Sequence, residues 1–344
     1  MNNFLNKIKG SFYGSAIGDG LGYKTEFLNM DQIYNRWGIN GLTEPIGNPI
    51  QVTDDTQMAI AVGKSLMDCF KKDENINPSN LEKALRFRYI EWYNDPENYR
   101  APGNTCLQAC ENLERGITWT EATLKNSKGC GANMRVHPVA YFKFKNKNIT
   151  NVDVAKWAQF QSAMTHSHPT ALAAADLTAM TVVKLIEGVS SDNILEELIE
   201  YAHSQMHVYH EDFLENVWER PVVFNSKEFI ERGWKECILS LEKVKMAIAK
   251  NDKSSDPCIY TGEGWIAEEA FATALLCFLY FPNKPIAVLR RAANSSGDSD
   301  SIACLAGSFA GAYCGIDELP SDWVNRIEYQ NEMNEFIDFL NLEK

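Results

Sequence analysis

Two stretches of this chain, Trp265–Leu279 and Ile302–Tyr313, are apolar on nearly every face, and the second is rich in Ala and Gly. A helix with no polar side has to be enclosed by other helices. Small residues let those neighbours come close. The rest of the pattern agrees. Leu81, Leu85, Tyr89 and Trp92 recur at helical spacing, as do Trp234, Ile238, Leu241, Val244 and Ile248, with Lys235, Glu236, Glu242 and Lys243 on the opposite side. Strand signals are poor: Pro221–Phe224 is short, and Val136–Phe144 reads either way. Loops are expected at Trp37–Gln51, Asp95–Asn104, Lys125–Ala132 and Asn251–Gly264, all rich in Gly, Pro, Asn or Ser. The expected fold class is all-α, a compact bundle of about a dozen or more helices. Residues 1–344 are expected to form a single domain.

Charge narrows the function. Acidic residues number 46 and basic ones 33, for a formal net charge of −13. A generic basic footprint for nucleic acid is absent, so no nucleic-acid partner is expected. A phosphate-bearing ligand would need backbone amides, a few cations or a bound metal to hold it. The nine cysteines are scattered, with no C-x-x-C, which argues for free thiols in a reducing compartment. The first twenty residues lack the unbroken apolar run of a signal peptide. The longest apolar run, Ala270–Phe281, is interrupted by Thr273 and is too short to span a bilayer. A cytoplasmic protein without membrane contact is expected.

Two acidic clusters carry the most chemistry. Thr53-Asp54-Asp55-Thr56 precedes the helical run Met58–Leu66. Thr53 suits an N-cap, and the helix dipole favours Asp54 and Asp55 in the first turn. Two carboxylates and two hydroxyls exceed what one cap uses. Gly297-Asp298-Ser299-Asp300-Ser301 likewise opens the apolar helix from Ile302. If the two helix starts meet, four like charges need neutralising, which hard divalent cations do through oxygen ligands. Neither cluster contains Cys or His, so magnesium or manganese fits better than zinc. Two unrelated helix caps are the plainer alternative.

Three further features are weaker. Glu26, in the Gly-rich segment Gly18–Phe27, is a candidate acid, base or metal ligand, or a surface residue after a helix end. Gly129-Cys130-Gly131-Ala132-Asn133-Met134-Arg135 offers amides able to cradle phosphate, but taken alone it is better read as an ordinary loop. His203, His207 and His210, at i, i+4 and i+7, would place three imidazoles on one helical face for zinc. Without H-E-x-x-H, a solvated face is the simpler reading. His166 and His168 precede the Ala-rich helix Thr170–Leu185 as caps, core groups or ligand contacts.

Taken in order, GSAIGDGLGYKTEF, VTDDTQMAI, GCGANMRVHPVAYF, THSHPTALAAA and GDSDSIACLAGSFAGAYCG resemble the ADP-ribosylglycohydrolase family over about Ile8–Ile327. GDSDS and MTHSHPT are most similar to its ADP-ribosylarginine hydrolases. The resemblance implies an all-α, roughly orthogonal multi-helix bundle with a binuclear magnesium or manganese centre. It implies Thr53, Asp54, Asp55, Asp298, Asp300 and Ser301 as metal ligands, with Ser301 where bacterial members usually carry Thr. It places Glu26 beside the metals or as their gate, and Gly129, Gly131, Ala132, Asn133 and Met134 around a pyrophosphate, with His166 near the ligand. Asn251–Gly264 and His203–Pro221 match nothing in the pattern.

The implied chemistry is cleavage of the N-glycosidic bond between ADP-ribose and a protein arginine. It passes through an oxocarbenium-like state and needs a delivered water. Asp55, Asp300 and Glu26 are the catalytic candidates, one aspartate as general base and Glu26 as second choice for proton transfer. Two alternatives stay open. The linkage could be serine-bound, O-acetyl-ADP-ribose or nucleic acid. The protein could also bind and block an ADP-ribosyltransferase toxin, as an immunity protein does.

Overall fold

The computed structural model describes residues 3–73 and 76–341. Among them the backbone forms eighteen α-helices and three short 3-10 helices, with isolated bridges and no strand. Local signals set many of the boundaries. Asn29, Asn77 and Thr150 each close a capping box with the residue three positions on. Proline opens the helices Pro78–Tyr93, Pro169–Glu187 and Pro285–Ala293, where its missing N–H has no intrahelical partner to lose. The amphipathic helix Ser226–Lys250 is capped by Asn225 and stops at Asn251 in the left-handed conformation.

The apolar segments are the interior. Helices Ala267–Tyr280 and Ser299–Cys314 are buried over nearly their whole lengths. Pro169–Glu187 is long and apolar enough to cross a membrane, but 94% of its apolar window is buried inside this fold, where it serves as a core helix.

One packing contact positions the site. The first helix, Asn3–Gly22, lies against Ser299–Cys314 along nearly its full length. Gly10, Gly14, Gly18 and Gly22 face Gly311, Gly307, Ala303 and Ser299 in antiparallel order. The backbones are so close that a Cβ on Gly14 or Gly18 would overlap the opposing carbonyl oxygen. Glycine at every fourth position gives one face of a helix no side chains, so two backbones can meet there. This contact sets the end of the first helix, and the turn carrying Glu26, beside the start of the helix that carries Asp300.

Several expectations are resolved or corrected. Val136–Phe144 is helical, as His137–Tyr141 and Phe142–Phe144. Pro221–Phe224 forms no strand, and Val222 and Phe224 are exposed. The zinc-type histidine face does not form. The helix Ile194–Gln205 ends before His207, so only His203 is on it. His207 is exposed near Glu231, while His210 is buried at the start of the next short helix. Trp265 lies outside its expected helix, which starts at Ala267.

Candidate active site

The second helix start is held by the first helix. Asp19 is fully buried, and its carboxylate accepts the backbone N–H of Thr53 at 3.0 Å and of Thr56 at 3.1 Å. It also accepts the hydroxyls of Thr53 and Thr56, at 2.8 and 2.5 Å. These amides would otherwise be unpaired donors at the N-terminus of the helix Asp54–Asp73. The Thr53 hydroxyl is a weak acceptor from the Asp55 N–H at 3.4 Å, so most of the capping comes from Asp19. Capping by a residue thirty-odd positions away welds the two helices together and aims Asp54 and Asp55 to the same side.

That side is a cleft of about 330 Å³. Asp54, Asp55, Asp298, Asp300, Ser301 and Glu26 all line it, so both acidic clusters meet there. One carboxylate oxygen from each of Glu26, Asp298 and Asp300 falls within 4.8 Å of the others. Among the described residues no Lys, Arg or His forms an ion pair with any of these groups. Asp54 Oδ2 accepts the Gly103 N–H at 3.3 Å, and Asp298 Oδ2 accepts the Cys130 thiol at 2.7 Å. Asp55 Oδ2 is buried with no partner.

Like charges out of water cannot all stay ionised without a counter-charge. Burial and then the charge of Asp300 push Asp54 and Asp55 well above the usual carboxylate range. Burial and Asp298 do the same to Asp300. Burial takes Asp298 to about 6, and burial with Asp300 takes Glu26 to about 9. An orphaned carboxylate oxygen, a hard oxygen donor set and an uncompensated negative charge fit a divalent cation of the magnesium or manganese kind.

The glycine loop forms one wall. Gly129, Cys130, Gly131 and Met134 line the cleft, as does His166. Ala132 and Asn133 do not: Ala132 is buried behind it, and Asn133 Nδ2 donates to the Ala267 carbonyl. Thr53 is also behind the cleft, bonded to Asp19. The loop is pinned from both sides. Ala267 N–H donates to Lys128 C=O at 2.9 Å and Cys130 N–H to Trp265 C=O at 3.3 Å, while Lys128 Nζ holds Glu236 and Glu268. His168 is a helix cap, its Nδ1 accepting from Thr170 N–H at 3.2 Å.

The mouth carries aromatics that the sequence reading left without a role. Phe27 and Trp265 stack with ring centroids 5.3 Å apart and planes 19° from parallel. Both line the cleft, and Phe27 is 68% exposed. Phe27 takes φ +63, a conformation unfavourable for a bulky residue, directly after Glu26. The turn is anchored by Thr25, whose hydroxyl sits 3.0 Å from Ser299 Oγ. Gly262 and Gly264 both have positive φ, which marks a tight turn rather than the start of a helix.

The model of the ADP-ribosylglycohydrolase family matches residues 1–344. The chain is 25% identical to the ADP-ribosyl-[dinitrogen reductase] glycohydrolase of Rhodospirillum rubrum, covering 95% of this chain and 92% of that one. It is 24% identical to the ADP-ribosylarginine hydrolase Tri1 of Serratia proteamaculans, over 98% and 79%. It is 26% identical to human ADP-ribosylhydrolase ARH3, over 95% and 91%. A solved structure titled ADP-ribosylglycohydrolase-related protein complex shares the fold at a TM-score of 0.67 and 21% identity, over 99% of this chain and 98% of that one. The chain belongs to the ADP-ribosylglycohydrolase family.

Proposed function

We propose that this protein hydrolyses the N-glycosidic bond between ADP-ribose and a protein arginine, reversing mono-ADP-ribosylation. The observation that carries the reading is the meeting of two acidic helix starts beside a glycine loop in one cleft. Relatives named for the arginine linkage support it. Other relatives at similar identity, the ADP-ribosylhydrolases ARH3, carry no linkage in their name, so a different linkage is the second reading.

In this reading Asp54, Asp55, Asp298 and Asp300 hold the cation, with Ser301 and Glu26 beside them. When bound, two magnesium or manganese ions would neutralise the carboxylates and lower the pKa of a nucleophilic water. The remaining chemistry falls to the chain. With the Cys130 N–H committed to the Trp265 carbonyl and the Gly129 N–H to Ser127 Oγ, the Gly131 amide and the ring of His166 receive the diphosphate. The Phe27–Trp265 stack gives the ligand's flat, apolar part a surface. Water adds its oxygen to the anomeric carbon as the bond to the guanidine nitrogen breaks. One aspartate takes the water's proton, and Glu26 is placed to hand a proton to the leaving nitrogen. The buried surroundings strengthen each of these contacts.

The test is a panel of substrates with defined linkages: arginine-linked, serine-linked and O-acetyl-ADP-ribose. ADP-ribose release should be fastest from the arginine substrate. Release from the serine substrate alone would move the assignment to that linkage.

A further inference from the structure

His166 is the one imidazole lining the cleft, and the groups beneath it determine which nitrogen carries its proton. Arg135 lies below. It is fully buried, with its guanidinium 4.5 Å from the Tyr89 ring centroid, and no carboxylate pairs with it among the described residues. It donates to Gln161 Oε1 at 2.9 Å, to the Gln161 carbonyl at 3.0 Å and to Thr165 Oγ1 at 2.8 Å. Thr165 Oγ1 is in turn 2.8 Å from His166 Nδ1.

Guanidinium can only donate, so Thr165 Oγ1 must accept from Arg135. If Nδ1 carried the imidazole proton, Thr165 would face two donors. Its own proton would then have no acceptor in a fully buried site, an unfavourable arrangement. The other tautomer pairs Arg135, Thr165 and Nδ1 in turn and leaves the Nε2 hydrogen facing the cleft. Arg135 donates to Thr165, Thr165 donates to Nδ1, and Nε2 keeps the hydrogen. The ring cannot easily swing away. His166 N–H donates to the Ser162 carbonyl at 2.7 Å, Ser162 Oγ donates to the His166 carbonyl at 3.1 Å, and Leu124 N–H donates to the Thr165 carbonyl at 2.9 Å. The Nε2 edge faces the glycine loop: a Cβ on Gly131 would sit 3.3 Å from Nε2 and one on Gly129 3.5 Å.

We propose that Arg135 is a positioning residue which, through Thr165, locks His166 as the Nε2–H tautomer and so presents one fixed N–H donor to an anionic oxygen lying over Gly129–Gly131. The identity of that anion as the ADP-ribose diphosphate rests on the function proposed above; the tautomer does not. Burial and the nearby guanidinium also take the His166 pKa down to about 3, so the ring stays a neutral, single donor across physiological pH. The arrangement separates two tasks. Arg135 supplies a fixed charge below the site, and His166 makes the directional contact.

The test uses the full chain labelled with ¹⁵N-histidine, its His166 signals identified by their absence in His166→Asn. Wild type should show the Nε2–H tautomer. Thr165→Val removes the donor to Nδ1 and should shift the population toward Nδ1–H, while Thr165→Ser should keep the wild-type pattern. ADP-ribose binding, measured by calorimetry, should weaken about tenfold in Thr165→Val, the size of one lost hydrogen bond, and stay within about twofold in Thr165→Ser. Arg135 is too deeply embedded to be the sole test, which is why the Thr165 pair carries it. An Nδ1–H tautomer in wild type, or a tautomer indifferent to Thr165→Val, overturns the proposal. A confirmed lock in a protein that binds no ADP-ribose would uphold the relay and sink the function proposed above.

Discussion

At the scale of single residues, the molecule uses buried carboxylates in two opposite ways. Asp19 is surrounded by donors that cap another helix, and even so burial raises it to about 6. Asp55 has an oxygen with no donor at all. The first is a structural group with every lone pair directed; the second has an oxygen that, in the proposed reading, a cation would take. Asp176 offers a clean measure of the structural kind, being fully buried and outside the cleft. It accepts from Gln159 Nε2 at 2.8 Å and from the Tyr201 hydroxyl at 2.7 Å, and burial raises it to about 6. A carboxyl whose folded pKa is raised favours folding most below its unfolded value, near 4. That contribution is lost as the pH climbs through about 6. Asp176→Asn has no such titration, and Gln159 Oε1, now without a partner, can turn to accept from the new amide. The variant should therefore gain on wild type by about 2 kcal/mol between pH 4 and pH 7, in urea melts of the chelated protein. A difference that stays flat with pH would contradict the shift.

At the scale of elements, the antiparallel contact between Asn3–Gly22 and Ser299–Cys314 is the fold's chief constraint on the site. Gly18→Ala would drive a methyl into the Ala303 carbonyl, an overlap that only backbone movement can relieve. A loss of at least about 3 kcal/mol is expected. Gly103→Ala is the control: φ is −63 there and nothing lies within 4 Å of the added carbon, so stability should change by less than about 0.5 kcal/mol. Thermal melts of both variants check this, and equal destabilisation would refute the close-packing account. The same elements show what a sequence can reveal. Periodicity exposes the helices, because burying one face imposes it, and the doublets at 54–55 and 298–300 stand out by charge density. Asp19 does not, because its partners lie on another helix and no local pattern encodes a long-range cap. His203, His207 and His210 mislead, because spacing presumes a helix that ends at Gln205. Trp265 was hidden inside an apolar run whose first residues turn out to be a loop.

At the scale of the whole molecule, one continuous buried cluster runs from the first helix to the last, and the cleft opens on its edge. The net charge of −13 repels phosphate over most of the surface. An anionic ligand therefore has to find its holding groups locally, which in the proposed reading are the Gly131 amide, the His166 N–H and a cation held by the carboxylates. The central claim is that those carboxylates hold the cation that makes hydrolysis possible. Its most direct test is release of ADP-ribose from an arginine-ADP-ribosylated protein by wild type and Asp300→Ala, each with magnesium and with chelator. The account predicts release by wild type with magnesium only, and a fall of at least roughly a hundredfold in the variant, whose ligand set is broken. Release that survives chelation, or an Asp300→Ala protein as active as wild type, would contradict it.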